Sequence, residues 1–193
     1  MSAKPRILAF AGSNRTDSWN QKILRIASDA AANAGAEVTI IHLRDYPLPL
    51  FDEDLERDEG HSSSSLQLKK LFSDHDGLLL ACPEYNSSIT PLLKNTIDWV
   101  SRPVDKEERL VAFKGKVAGI MSASPGGLGG HRGLVHVRSI LSSIGVIVLP
   151  RQVSIPQAYQ AFEADGTLKS AQELQSLTQL GEDIAAATAR FAG

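Results

Sequence analysis

The feature that most constrains this chain is a regular alternation of short apolar runs with longer segments of helical periodicity. Residues 7–11 and 77–82 are apolar runs, which is typical of strands buried on both faces. Between them, apolar residues recur at helical spacing after Ser18, and this pattern stops at Gly35. Repeated strand–helix units predict parallel strands with right-handed crossovers, so we expect an α/β fold with a three-layer, doubly wound sheet.

The alternation continues along the chain and predicts five strands and five helices. The remaining strands are predicted at 38–41, 117–121 and 146–149, and the remaining helices at 65–73, 90–100, 134–143 and 168–191. One segment, 46–65, interrupts the pattern with two prolines, six acidic residues and four serines. We interpret it as a long exposed acidic loop, with a lid or a subunit contact near the site as the alternative.

Length and charge narrow the class of protein. A chain of 193 residues, 42% apolar and 22% charged, suits a single globular domain spanning residues 1–193. Its 20 basic and 22 acidic side chains give a net charge of −2, so it has no basic field for nucleic acid. The single cysteine, Cys82, permits no internal disulfide and no zinc-type ligand set, and no apolar stretch approaches the roughly 20 residues that span a bilayer. We therefore expect a cytoplasmic protein with neither a membrane segment nor a metal.

In doubly wound sheets, ligands bind beyond the carboxyl ends of the strands, which directs attention to three loops. The first, 12–20, is rich in hydroxyls and amides and leads directly into a helix. Free N–H groups at a helix N-terminus, serine hydroxyls and the guanidinium of Arg15 all favour a phosphate. The loop lacks Gly-x-Gly-x-x-Gly and a Walker lysine, so a monophosphate fits better than a dinucleotide diphosphate or ATP. The alternative is an ordinary polar loop that caps the helix.

The other two loops suit the flat part of a ligand. Residues 83–88 place the ring of Tyr85 and several amides at the same edge, where a planar heterocycle finds an apolar surface and polar partners. Residues 122–130 contain four glycines, which let the backbone approach a ligand closely. The alternatives are local packing of Tyr85 with a turn at Asn86, and simple turn chemistry in the glycine-rich loop.

Four other conspicuous side chains are interpreted as structural. Cys82 ends a buried strand and is expected to be inert packing. Trp99, with Asp98, is expected to anchor its helix or a subunit contact. Arg102 is expected to form an interface or structural ion pair.

Residues 83–88 and 93–103, read together, resemble the signature of the NAD(P)H-dependent FMN reductases, a flavodoxin-like family that includes chromate and quinone reductases. Residues 126–132 resemble the third loop of that family. The first loop, with Gly12, Ser13, Arg15, Ser18 and Asn20, resembles the phosphate loop of the same family. The resemblance extends from the first strand to about Pro156 and implies a flavodoxin-like five-stranded parallel sheet of order 2-1-3-4-5.

The resemblance implies FMN as the cofactor and assigns the residues that hold it. Those expected at the FMN phosphate are Ser13, Arg15, Ser18 and Asn20. Those expected along the isoalloxazine are Pro83, Glu84, Tyr85, Asn86 and Ser87, with Ser124 and Gly126 closing the other side. Because the cofactor carries the chemistry, no catalytic acid–base pair is expected.

The activity implied by the resemblance is transfer of a hydride from NADPH or NADH to FMN, followed by reduction of a flavin, a quinone, an azo compound or a metal oxyanion. Donor and acceptor are expected to use one ring surface in turn, which gives ping-pong kinetics. The family also forms dimers or tetramers, so a homodimer or homotetramer is expected. The alternative is a flavodoxin-like electron carrier or an FMN-binding redox sensor without NAD(P)H turnover. A net charge of −2 disfavours the carrier, because such carriers are typically strongly acidic.

Overall fold

The computed structural model describes residues 4–191. In chain order the strands are β1 (Arg6–Ala11), β2 (Glu37–Ile41), β3 (Gly77–Ala81), β4 (Glu84–Tyr85), β5 (Ser88–Ile89), β6 (Val117–Ala123) and β7 (Ile147–Ile155). Five of them pair in parallel in the order β2-β1-β3-β6-β7, which confirms the flavodoxin-like order. β4 and β5 form a separate antiparallel hairpin that the sequence pattern did not predict.

The helices are α1 (Trp19–Asn33), α2 (Glu53–Glu59), α3 (Ser63–Asp74), α4 (Pro91–Ser101), α5 (His131–Ser143) and α6 (Ala171–Phe191). Helices α1 and α6 pack on one face of the sheet, and α3, α4 and α5 pack on the other, which gives the three predicted layers. Along β1, Ile7 and Ala9 enter the first of these two cores. Leu8 and Phe10 enter the second. Since both faces of the strand are covered, its whole length must be apolar.

Helix α6 is the longest of these helices and the last. None of the helices within residues 4–191 is long and apolar enough to cross a membrane. The sequence pattern predicted that helix α6 begins at Leu168, but in the structure it begins at Ala171. The backbone of Leu168 instead bridges to Phe162, and the Ser170 hydroxyl accepts the Glu173 N–H at 3.3 Å, which caps the helix.

The segment 46–65 contains a helix, α2, where the sequence pattern predicted only a loop. The Asp52 carboxylate accepts hydrogen bonds from the N–H groups of Asp54 and Leu55, so it caps this helix. Acidic residues fill the first turn of α2, where the helix dipole favours negative charge. Helix α3 then follows at Ser63. The cluster of carboxylates therefore marks the start of a helix.

Helix α4 holds this acidic segment in place. The Pro49 carbonyl accepts the indole N–H of Trp99 at 2.8 Å and the side-chain amide of Asn95 at 2.9 Å. Arg102, just beyond α4, pairs with Glu56 of α2 at 2.8 Å. These contacts give Trp99 and Arg102 the structural roles predicted for them.

Strand β7 continues past Pro150, although its prediction ended at residue 149. Its pairing with β6 changes register, and the extra residues of β7 bulge at this point. A proline is tolerated here because a bulge on an edge strand needs no N–H donor. Arg138 of α5 donates to the carbonyls of Val148 at 3.2 Å and Leu149 at 2.8 Å, beside this bulge.

Candidate functional site

A cleft of about 330 Å³ opens at the carboxyl ends of β1, β3 and β6. This is where a doubly wound sheet binds its ligand. All three loops predicted from the sequence contribute to its wall. The residues that line it are Ser13, Arg15, Ser18, Trp19, Asn20, Pro83, Glu84, Tyr85, Ala123, Ser124 and Pro125.

The first loop brings anion-binding groups to the start of α1. Ser18 directly precedes the helix, and within the described chain its hydroxyl makes no capping bond, so it is free to donate to a ligand. The Arg15 guanidinium lies 4.5 Å from the ring centroid of Trp19 and donates to the Asp17 carbonyl at 2.8 Å. Its other N–H groups, the N–H groups of the first helical turn and the helix dipole together favour an anion.

Gly12 is required by the close approach of this loop to α4. A Cβ on Gly12 would lie 2.9 Å from the Leu93 Cβ, which is closer than two such carbons pack. The Gly12 carbonyl accepts the Thr90 hydroxyl at 2.9 Å, and its N–H donates to the Ala81 carbonyl at 2.9 Å. The loop is therefore anchored to both β3 and α4.

Asn20 anchors the other end of the same loop. Its Nδ2 donates to the Ala123 carbonyl at 2.8 Å, and its Oδ1 accepts the Ala123 N–H at 3.0 Å. Both bonds are buried, and they tie α1 to the end of β6, where the third loop begins. The structure thus gives Asn20 a positioning role, and its contact with a phosphate stays a prediction.

The second loop folds into the hairpin β4–β5. Asn86 and Ser87 form its two-residue turn with φ of 50° and 65°, the left-handed conformation that such turns require. Tyr85 is 59% exposed and lines the cleft, so its ring forms an open wall. Pro83, which is buried, lines the cleft as well.

The first turns of α5 hold this hairpin in place. The Glu84 carboxylate accepts the Gly133 N–H at 2.8 Å, at the positive end of the helix dipole. The Ser88 hydroxyl lies 2.8 Å from Nδ1 of His136. Because its carboxylate is bound to α5, Glu84 offers the cleft its backbone and the base of its side chain.

The third loop brings Ser124 to the cleft, and the N–H of Ser124 donates to the Ile155 carbonyl at 3.2 Å. The loop ends at Gly130, which has a φ of 87°. A Cβ on Gly130 would overlap the Ser122 hydroxyl, so only glycine fits at the junction with α5.

The cleft contains most of the predicted cofactor-binding residues. It brings together Ser13, Arg15, Ser18, Asn20, Pro83, Glu84, Tyr85 and Ser124. Asn86, Ser87 and Gly126 are not among the described lining residues, and their contacts with a cofactor stay predictions. Sequence reasoning missed Trp19, Ala123 and Pro125. Only Trp19, an aromatic residue at the start of a helix, carried a usable signal.

Cys82 directly precedes the second loop but is not accessible. Its side chain is fully buried, and its Sγ donates to the Leu80 carbonyl at 3.6 Å. Burial raises the pKa of the Cys82 thiol far above its ordinary value. The thiol therefore stays neutral and packs as a small apolar group, as predicted.

The chemistry of the lining suits a phosphorylated planar ligand. The first loop supplies hydroxyl, amide and guanidinium donors for a phosphate, and Pro83 and Tyr85 supply apolar surface for a ring. Glu84 carries the only carboxylate among the described lining residues, and α5 already binds it. FMN combines these two parts, so the residues present fit it. Within residues 4–191, no group of three or more His, Cys, Asp or Glu side chains could hold a metal ion.

Comparisons with known proteins support the same assignment. The chain is 34% identical over 169 residues to an NAD(P)H-dependent FMN reductase of Pseudomonas aeruginosa, which covers 87% of this chain and 86% of that protein. It is 31% identical over 195 aligned residues to an NADPH:quinone oxidoreductase of Arabidopsis thaliana, covering 97% and 94%. Among solved structures, the flavoenzyme NAD(P)H:(acceptor) oxidoreductase of Paracoccus denitrificans matches with a TM-score of 0.76 and 26% identity, covering 97% and 98%.

The sequence model of one family, described as NADPH-dependent FMN reductase, matches residues 5–160. This match includes every loop that lines the cleft. The chain therefore belongs to the NADPH-dependent FMN reductase family.

Proposed function

We propose that the chain is an oxidoreductase that uses NADPH or NADH to reduce a small-molecule acceptor, with FMN held in the cleft. The observation that carries this proposal is the convergence of the three predicted loops on one cleft at the carboxyl edge of the sheet. The chemistry that FMN would supply in the cleft is the transfer of a hydride from the nicotinamide and of two electrons to the acceptor, with the three loops holding it. The protein supplies binding and orientation.

The phosphate of FMN would be held at the first loop. Ser13 and Ser18 offer hydroxyl donors there, and Arg15 offers a guanidinium that can fork onto two oxygens. Asn20 contributes by fixing the loop to β6. These donors lie at the N-terminus of α1, so the helix dipole adds to their attraction for the phosphate.

The ring of FMN would lie against the second loop. Pro83 and Tyr85 provide apolar surface, and the backbone of Glu84 provides hydrogen-bonding groups for the polar edge of the ring. Ser124 approaches from the third loop. Because the Tyr85 side chain is 59% exposed, this side of the cleft stays open to a substrate.

We also propose ping-pong kinetics. Donor and acceptor would use the one exposed surface of the flavin ring, beside the exposed Tyr85, in turn. Initial rates measured over a grid of donor and acceptor concentrations should give parallel double-reciprocal lines. Intersecting lines would reveal a ternary complex and overturn this part of the proposal.

Quinones are the first class of acceptor to test. The relative from Arabidopsis thaliana is named an NADPH:quinone oxidoreductase, and one from Escherichia coli is named a quinone reductase. The relative from Pseudomonas aeruginosa, named an FMN reductase, makes free flavin the second class. Azo compounds and metal oxyanions complete the set of proposed acceptors.

We also propose that the chain forms a homodimer or homotetramer. Leu128 and Val135, on the third loop and the first turns of α5, are 51% and 52% exposed. A second copy would cover these apolar side chains close to the open side of the cleft. Sedimentation velocity measures the oligomeric state directly, and a monomer at all concentrations would contradict this proposal.

The experiment that tests the proposed function follows bound flavin by its visible absorption. The protein is reconstituted with FMN, freed of unbound flavin and mixed without oxygen with one equivalent of NADPH or NADH. Rapid bleaching of the bound flavin would support the reductase and rank the two donors. Bound flavin that stays oxidised would point to an electron carrier or sensor, and no retained flavin would refute the assigned site.

A further inference from the structure

A second cavity, of about 550 Å³, lies beside the phosphate loop and is larger than the cleft itself. Its wall includes the outer face of α1, the turn that follows β2 and the turn at Asp165 and Gly166. Ser13, Arg15 and Ser18 line both cavities, so the two meet at the loop between β1 and α1. The FMN proposed above would occupy the smaller one and leaves the larger one without a role.

Four basic side chains line this second cavity, and they are Arg15, Lys22, Arg25 and Arg44. Among the ion pairs of residues 4–191, none involves these four side chains. Arg15 and Arg44 donate to the backbone carbonyls of Asp17 and Asn14. Lys22 lies 5.1 Å from the ring centroid of Phe162, and Arg25 has no side-chain hydrogen bond within the described chain. Their charges are therefore available to a phosphorylated ligand.

Carboxylates line the same cavity, which argues against a bare phosphate as its ligand. Asp17, Asp29 and Asp45 contribute to the wall, and Asp165 is bound to Thr167 at 2.7 Å. Carboxylates accept hydrogen bonds from ribose hydroxyls, while arginines hold the phosphates of a nucleotide. A lining of both kinds, in a cavity of this volume, suits a nucleoside phosphate.

We infer that the second cavity binds the phosphorylated adenosine half of a dinucleotide. This inference rests on the proposed function, because that half accompanies a redox group bound in the cleft. Two dinucleotides carry it: NAD(P)H, whose nicotinamide would lie over the flavin, and FAD, whose flavin half would replace FMN. Either one would reach the second cavity past Ser13, Arg15 and Ser18, where the two cavities meet.

Arg25→Gln is the sharpest test, because Arg25 is exposed on α1 and its loss should not disturb the fold. The matched control is Arg190→Gln at the end of α6. The neighbouring Thr188 lies against Gly77 at the start of β3, so this end of α6 is at the amino ends of the strands, away from the second cavity. Adenosine 2′,5′-bisphosphate and ADP are titrated calorimetrically into the FMN-loaded proteins. We expect the wild type and the control to bind at least one probe, and Arg25→Gln to bind it about tenfold more weakly. Failure of both probes to bind the wild type, or equal affinity in Arg25→Gln, would overturn the inference.

Two further measurements distinguish the source of the adenosine half. If it comes from NAD(P)H, Arg25→Gln should raise the KM for the donor with kcat unchanged. If it comes from FAD, the variant should weaken FAD binding while FMN binding stays the same. If neither quantity changes, the inference fails. The same preparations are also tested for FMN retention and for reduction by NAD(P)H. A protein that passes both tests but fails the adenosine tests supports the proposed function and contradicts only the inference about the second cavity.

Discussion

At the scale of single residues, Asn20 shows how one amide can hold a binding loop in place through two buried backbone contacts. Asn20→Ala would leave the buried N–H and carbonyl of Ala123 without their partners. We expect the free energy of unfolding of the apoprotein to fall by about 2–4 kcal/mol, and FMN affinity to fall as well. Urea denaturation and FMN titration measure the two effects, with Asn33→Ala, on the exposed end of α1, as the control. Unchanged apoprotein stability with weaker FMN binding would instead point to the direct phosphate contact.

Cys82 gives a residue-scale prediction about pH. Burial raises the pKa of the Cys82 thiol in the folded protein. In an unfolded chain a cysteine thiol has a pKa of about 8.5. Above that pH the unfolded state has lost a proton that the folded state keeps, so the free energy of unfolding should decrease as pH rises. Cys82→Ala should remove this slope in urea denaturation curves. Burial lowers the pKa of Lys116, which gives an opposite slope in both proteins and cancels from their comparison. Equal slopes in the two proteins would contradict the prediction.

At the scale of secondary-structure elements, α2 depends on the side chain of Asn95. Its amide donates to the Pro49 carbonyl, and its oxygen accepts the Phe51 N–H at 2.8 Å. We expect Asn95→Ala to lower the free energy of unfolding by about 1–3 kcal/mol and to speed amide hydrogen exchange in residues 46–62 above all. The neighbouring exposed Lys94→Ala, which removes only the ion pair with Asp98, is the matched control. Uniformly faster exchange along the chain would show that Asn95 supports the whole fold.

The elements that could be predicted from the sequence are those whose pattern is local. Strands buried on both faces must be apolar throughout, so the strands and the three layers followed from runs such as 7–11, whereas the sheet order came from the family resemblance. The hairpin β4–β5 escaped prediction because its turn places Asn86 and Ser87 at positive φ, where glycine is the usual signal. Helix α2 escaped because its carboxylates were interpreted as a solvated run. β7 was cut short because a proline usually ends a strand, except at a bulge on an edge.

The candidate site likewise has a part that could be predicted from the sequence and a part that could not. Its three loops were predictable because parallel strands end at one edge of the sheet. The partners of individual side chains were not, because they are distant in sequence: Asn20 binds Ala123, and Glu84 binds the N–H of Gly133. The family resemblance implied cofactor contacts for both side chains, and those contacts stay predictions; the structure adds that both side chains hold the loops in place.

At the scale of the whole molecule, ligand binding and stability are linked. A ligand that binds only the folded state should stabilise it by about 2.7 kcal/mol at a hundred times its Kd. We expect FMN to raise the Tm clearly more than riboflavin does at the same concentration, because riboflavin lacks the phosphate that Ser13, Arg15 and Ser18 would hold. Differential scanning fluorimetry or calorimetry measures the two shifts. Equal shifts would mean that the first loop contributes nothing to flavin affinity.

The bulge at Pro150 lies on β7, which is an edge strand of the sheet. An exposed edge strand normally offers a row of free N–H and C=O groups to which another strand can add. On β7, Pro150 has no N–H to offer, and Arg138 already occupies the carbonyls of Val148 and Leu149. These two features disfavour the addition of a further strand at this edge. The homodimer or homotetramer proposed above would then be built through helices and loops, and Arg138 would have a second role in keeping the edge of the sheet closed to other molecules.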